Sequence, residues 1–186
     1  MKHIGTKEIK TDRLLLRRFV ATDAQAMFDN WASDDEATKY LTWPAHQEMT
    51  VTQFMVNNWV EGYAAFNQYK WAITLKEKPN EVIGDISVVA INERTEECEI
   101  GYVISRNHWN KGYMSEAMAA VCDYLLTEGP FNRVEALHDI NNPASGKVMM
   151  KAGLQYEGTH RQYGLNSTGL VDAARYAILK RDRLSD

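Results

Sequence analysis

The chain has 186 residues, enough to bury the core of one α/β domain and too few to make two the default. A formal net charge of −4 argues against nucleic acid as a partner, because phosphate affinity needs clustered Lys and Arg, and it suits a cationic partner such as an amine or basic peptide. No stretch approaches the roughly 18 consecutive apolar residues of a membrane helix. Met1 to Lys10 lacks a secretory apolar region, so a cytoplasmic protein is expected.

Arg13-Leu-Leu-Leu-Arg-Arg-Phe19 reads as a first strand. Thr22 or Asp23 then offers an N-cap for a helix over 24–31, and Trp43-Pro44 breaks any helix in the irregular stretch 33–49. A second helix starts at Thr50 or Thr52, with Phe54, Met55, Trp59 and Tyr63 at helical spacing. After Gly62 the signals change to strands: 69–75, a turn at Lys78-Pro79-Asn80, 82–91, a polar turn at Asn92-Glu93-Arg94-Thr95, and 97–105. Turns this short imply antiparallel neighbours. Alternation along 97–105 places Cys98, Ile100, Tyr102 and Ile104 on one face, with Glu97, Glu99, Gly101, Val103 and Ser105 on the other.

The strongest amphipathic pattern follows. It predicts a helix over 115–126, with Met114, Ala117, Met118, Val121 and Leu125 along one side, ending near Gly129-Pro130. A strand over 133–139, a helix over 143–151 stopped by Gly153, and a hairpin of 154–165 with 169–179 complete the order. No repeat, low-complexity tract or Gly/Ser linker interrupts it, so residues 1–186 are expected to form one domain. Cys98 and Cys122 have no ligand or redox spacing and read as small apolar residues; no His/Cys/Asp cluster implies a metal.

The informative segment is Trp109-Asn-Lys-Gly-Tyr-Met-Ser-Glu-Ala117, between a strand and the strongest helix. A polar, Gly-containing turn that opens a helix leaves backbone N–H groups unpaired and aimed outward. Phosphate oxygens satisfy such groups, and the helix dipole favours the negative charge by about 0.3–1 kcal/mol. Gly112 lets the backbone approach closely, having no Cβ, and Lys111 adds a charge. Taken alone, the same turn also reads as an ordinary loop.

In its surroundings the turn resembles the pyrophosphate loop of the GNAT acetyltransferase superfamily, Gln/Arg-x-x-Gly-x-Gly/Ala, with Gly112 matching and Trp109 and Met114 departing from the general pattern. A Trp at the first position, then Lys-Gly-Tyr and Glu-Ala, is similar to the RimJ/RimL branch, which acetylates protein N-termini. Glu99-Ile-Gly-Tyr-Val-Ile104 upstream and the opening Thr11-Asp-Arg-Leu-Leu-Leu-Arg17 are similar to that branch too. Downstream, Asn142-Pro-Ala-Ser145 with Val148, Lys151 and Gly153-Leu154 fits its Asn-x-x-Ser-x-x-Val-x-x-Lys-x-Gly-Phe pattern, with Leu for Phe.

The resemblance implies an α+β fold with a mixed, mostly antiparallel sheet of about seven strands, flanked by helices and splayed between the fourth and fifth. It implies acetyl-CoA as cosubstrate, its pyrophosphate on the amides of Trp109, Asn110, Lys111, Gly112, Tyr113, Met114 and Ser115. The pantetheine would run beside Val103, Ile104 and Ser105, with Asn142, Ser145 and Lys151 completing the site. Asn142 and Pro143 are equally a helix cap and a Pro at N1.

Many members carry a tyrosine acid in the Asn-x-x-x helix; that slot is Met149 here, which leaves Ser145 to polarise the departing sulfur unless it bonds its own helix backbone instead. Glu99 is the candidate general base; Asp85, Tyr102 and Tyr156 are weaker ones, and His138 lies by the implied cleft. The family places acceptor recognition among the aromatic residues of the early helical region, which singles out Trp43, with Asp85 and Glu99 also facing the acceptor; the acidic run Asp34-Asp35-Glu36 attracts basic peptides or is simply solvated. An α-amine near 7.7–8.0 needs far less help losing its proton than a Lys amine near 10.4. An N-acetyltransferase of protein N-termini is therefore expected, monomeric or homodimeric. The alternatives are acetylation of a small amine (polyamine, amino acid or aminoglycoside) and a non-catalytic acyl-CoA-binding module.

Overall fold

A computed structural model describes residues 1–183. The chain begins with strands β1 (Ile9–Lys10) and β2 (Leu14–Arg17), then helix α1 (Asp23–Met27), which runs into a π-helical turn (Phe28–Ala32). Helices α2 (Asp35–Thr38) and α3 (Met49–Gly62) precede strands β3 (Lys70–Leu75), β4 (Lys78–Asn92) and β5 (Glu97–Ile104). A 3₁₀ turn (Arg106–His108) leads to α4 (Tyr113–Thr127), β6 (Arg133–Asp139) and α5 (Pro143–Lys151). The hairpin β7 (Gln155–Asn166) and β8 (Gly169–Leu179) and the short α6 (Lys180–Arg183) follow.

All the strands join one mixed sheet in the order β1-β2-β3-β4-β5-β6-β8-β7. Every pairing is antiparallel except β5 with β6. The sheet has eight strands rather than about seven, because Ile9–Lys10 pairs with Leu15 and Leu16; two residues carry no periodicity by which a sequence could announce them.

Two layers cover the sheet. On one side Cys98 and Ile100 of β5 meet Met114, Ala117, Met118, Val121 and Leu125 of α4, all buried, as the alternation of β5 and the helical spacing of α4 require. Truncating such a residue, Met118→Ala for instance, costs about 2–5 kcal/mol. On the other side Phe19, Met27, Trp31, Val56 and Val82 enclose Val103. Among the described residues no helix is long and apolar enough to cross a membrane.

Two local expectations fail. The turn between β3 and β4 is Lys76-Glu77, and Lys78-Pro79-Asn80 already belongs to β4; Pro79 is tolerated because this end of the strand is exposed. In α3 the buried positions are Thr52 and Val56, while Phe54 is 67% exposed. Phe54 stands two residues, about 200°, from each of them on the helix, and Thr52 can be buried because its hydroxyl meets His46 Nδ1 at 2.7 Å.

Candidate active site

The parallel pair β5–β6 is registered only at Glu97↔Arg133, Cys98↔Val134 and Glu99↔Glu135. Beyond Glu99 the two strands part, although β5 continues to Ile104 and β6 to Asp139. The sheet is thus forked at the expected place. Ser105 donates its amide to Ile83 O at 2.8 Å in line with the β4 register, and alternation then turns Val103 toward β4 as well. The backbone groups of β5 that face the open fork are those of Tyr102 and Ile104, so of the expected trio only Ile104 points its main chain the right way.

The turn after β5 is built by side chains on both ends. Trp109, 44% exposed, donates its indole N–H to Ile104 O at 2.9 Å, so the unusual residue at the first position ties the turn to the mouth of the fork. Asn110 and Gly112 have φ of 59° and 77°; the second needs glycine, since a left-handed residue with a Cβ is strained by roughly 1–2 kcal/mol. Met114 is buried in the core, which explains how a large residue fits there while its amide stays in the first turn. Among the described residues the amides of Asn110, Lys111, Gly112, Tyr113, Met114 and Ser115 have no acceptor; the first amide of this stretch to find one is that of Glu116, on Gly112 O at 3.1 Å. Six consecutive donors at a helix start, over a glycine that keeps the approach open, fit a diphosphate.

Arg13 and Glu116, not singled out in the sequence, hold this turn. Glu116 accepts from the Thr11 hydroxyl at 2.6 Å, the Arg13 amide at 2.9 Å and Arg13 Nε at 2.7 Å. Arg13 Nη1 donates to Lys111 O at 2.9 Å, and its guanidinium lies 4.5 Å from the Tyr113 ring centroid. Burial raises the Glu116 carboxyl, but these hydrogen bonds outweigh it and hold the group below its ordinary value. The only available signal was the pairing of Thr-Asp-Arg with Glu-Ala inside two separate matches.

Across the fork, Asn142 starts α5 without using its side chain as a cap, which leaves its amide available. Ser145 sits in the first turn, and its Oγ lies 2.6 Å from the Tyr102 hydroxyl, which also has Ser145 O within reach at 3.1 Å. Met149 is fully buried in the core, and Lys151 is exposed on the last turn. His138 donates Nδ1–H to Asp139 O at 2.7 Å and packs on Gly146, where a Cβ would come within 2.6 Å of Nε2.

Glu99 is half-buried at the point where the strands part. Burial, reinforced by Glu135 opposite, pushes its carboxyl up against the opposing pull of Arg175. Asp85 is 6% exposed and its carboxylate is engaged by Lys70 Nζ at 3.2 Å, an ion pair that answers the cost of burying it and occupies the group expected to face the acceptor. Tyr156 bonds Thr159 at 2.8 Å out on β7.

The acidic run is partly committed. Asp34 caps α2 through Glu36 N and Ala37 N and pairs with Arg106 of the 3₁₀ turn at 2.5 Å. From there the chain crosses the open end of the fork: Tyr40 donates to Asn141 O at 3.1 Å, and Ser167 donates to Trp43 O at 3.3 Å. Trp43 lies in this bridge, its ring 4.9 Å from His46.

A forked mixed sheet with an amide-lined turn ahead of its longest amphipathic helix suits a ligand that carries a diphosphate, and the comparisons say which class of protein this is. The acetyltransferase (GNAT) domain family matches residues 13–155, and the chain belongs to that family; it is an N-acetyltransferase, and as a member it takes acetyl-CoA as cosubstrate. It is 33% identical over 172 residues to the uncharacterised N-acetyltransferase p20 of Bacillus licheniformis, covering 92% of this chain and 96% of that one. It is 26% identical over 138 residues to the ribosomal-protein-serine acetyltransferase of Escherichia coli, covering 74% and 75%. The crystal structure of a GNAT-family acetyltransferase from Bacillus anthracis superposes with a TM-score of 0.82 at 28% identity, covering 94% of this chain and 99% of that one.

Proposed function

We propose that this acetyltransferase is RimJ/RimL-like and modifies a protein N-terminal α-amine, residues 1–186 acting as one catalytic domain. The observation that carries the reading is the place of Glu99: it is half-buried where the strands part, and burial pushes its carboxyl up, the direction a general base needs. An α-amine near 7.7–8.0 is already partly neutral at pH 7, whereas a Lys amine near 10.4 lies some three pKa units above that pH, about 4–5 kcal/mol. Similarity to a ribosomal-protein-serine acetyltransferase over most of both chains supports the same acceptor class.

In this reading the amides of Asn110 to Ser115 hold the diphosphate, with Lys111 adding charge. Ile104 and Tyr102 offer main-chain partners to the pantetheine, and Asn142 its side-chain amide. Glu99 takes the amine proton, directly or through water. Ser145 donates a hydrogen bond toward the sulfur, where charge develops. Trp43 walls the acceptor side.

An acceptor panel tests the proposal: peptides with free and blocked α-amines, Lys-only peptides, and small amines, scored by coenzyme thiol release. Turnover is expected with free α-amine peptides and not with their blocked forms. Turnover confined to polyamines, amino acids or aminoglycosides would refute the N-terminal assignment.

A further inference from the structure

We infer that Tyr102 is a positioning residue for Ser145, donating to its Oγ so that the serine's own hydrogen points into the fork toward the coenzyme sulfur. The inference rests on the fork being the thioester site. Tyr102 stands on β5 beyond the last β5–β6 pair, and Ser145 on the first turn of α5, so their contact spans the fork.

A serine in a helix can return its hydroxyl to the carbonyl four residues back. Here that carbonyl, Asn141 O, accepts from the Tyr40 hydroxyl at 3.1 Å, and Ser145 Oγ meets the Tyr102 hydroxyl at 2.6 Å instead. The phenol has one hydrogen and two acceptors in reach, Ser145 Oγ at 2.6 Å and Ser145 O at 3.1 Å. When it donates along the shorter contact, Ser145 has its own hydrogen left to give. Because Met149 is sunk in the core, α5 brings no phenol of its own, and the one at hand comes from the opposite prong.

The acidities decide between a proton relay and a fixed donor. A thiolate whose thiol titrates near 8.5 does not draw a proton from a phenol near 10, and burial moves the Tyr102 phenol further up. Tyr102 therefore stays protonated while sulfur carries charge, and no bond to hydrogen breaks on it. The titratable groups around the pair are Cys122 on α4, Tyr176 on β8 and His138 on β6. Burial pushes the Cys122 thiol up to about 12, out of the range used below.

The test needs no acceptor. Coenzyme A and desulfo-coenzyme A, which lacks the thiol, are titrated calorimetrically between pH 6.5 and 9. If the fork favours thiolate, the affinity ratio of the two rises with pH, about tenfold for each pKa unit by which the bound thiol is lowered. Changes in His138 or elsewhere enter both titrations and cancel in the ratio. Ser145→Ala is expected to abolish the rise. Tyr102→Phe, which keeps the ring, should cut it at least threefold, and should change nothing further in the Ser145→Ala background. A full rise in Tyr102→Phe, a flat ratio in the parent protein, or an equal added loss in the double variant would each overturn the inference, the last by marking a packing effect. Binding of neither compound would overturn the site itself, a separate and recognisable result.

Discussion

Removing the Glu116 carboxylate should loosen the coenzyme turn without unfolding the protein. The group accepts hydrogen bonds at 2.6, 2.9 and 2.7 Å from Thr11, the Arg13 amide and Arg13 Nε, and Arg13 Nη2 also lies 2.7 Å away. Hydrogen bonds to a charged group contribute about 1.5–3 kcal/mol each when shielded. The Arg13 side chain, however, is 48% exposed, so water competes and exposed pairs fall to about 0.2–1 kcal/mol. Summing conservatively, Glu116→Ala should cost about 2–3 kcal/mol, which for a chain of this size lowers Tm by roughly 5–10 °C. That stays within ordinary domain stability of about 5–15 kcal/mol. The same contacts fix Arg13, whose Nη1 holds Lys111 O, so about half of the loss should reappear in binding, roughly a tenfold weaker coenzyme A Kd. Glu116→Gln, which keeps an acceptor but no charge, should fall between. Calorimetric titration alongside a thermal melt reads both quantities. A Glu116→Ala protein that melts lower but binds coenzyme A with unchanged affinity would refute the link between clamp and turn.

Other outcomes follow from the same geometry. Gly112→Glu should abolish measurable coenzyme A binding in the same titration, because it combines a strained left-handed residue with a carboxylate at the phosphate position; retained affinity would place the diphosphate elsewhere. Arg175 lowers the Glu99 carboxyl, so Arg175→Met should move the acidic limb of kcat/KM to higher pH, and Glu99→Gln should remove that limb along with at least tenfold of the rate. Burial holds the imidazoles of His46 and His108 below the ordinary histidine value. The unfolded chain therefore takes up protons first, and Tm should fall as pH drops below about 6.5, less steeply in His46→Asn. Stability is lost again below about pH 4.5, as Glu116 and Asp34, both held low in the fold, become protonated. A Tm flat from pH 7 to 5 would contradict the histidine assignment.

Periodicity made β5 and α4 legible, because each buries one face and the burial sits at the positions the pattern names: Cys98 and Ile100 on the strand, Met118, Val121 and Leu125 on the helix. Where burial is satisfied by a hydrogen bond rather than by apolarity, the pattern misleads. Thr52 lies inward against His46 and Phe54 outward, although hydropathy alone orders them the other way. Asp85 was legible as a charge on the right strand, but its neutralisation by Lys70 depends on the β3–β4 register, which places Lys70 opposite Ser87 and Ala72 opposite Asp85.

The turn and its helix could be read locally, since an amide cradle is made by consecutive residues. What holds it could not. Glu116 reaches Arg13 across 103 positions, Tyr102 reaches Ser145 across 43, and Ser167 reaches Trp43 across 124. Each links two segments that the sequence shows only as separate matches. The physical content of the first link is that the turn between β1 and β2 is not a remote piece of scaffold: its Arg13 supplies the guanidinium that clasps Lys111 O and the backbone N–H that anchors Glu116. The cost of ordering a Gly-containing turn is then met by groups held between two strands of the sheet, before any ligand arrives. A coenzyme site assembled in this way should respond to substitutions at Thr11 and Arg13 as it does to those in the coenzyme turn itself, which no inspection of either segment by itself would suggest.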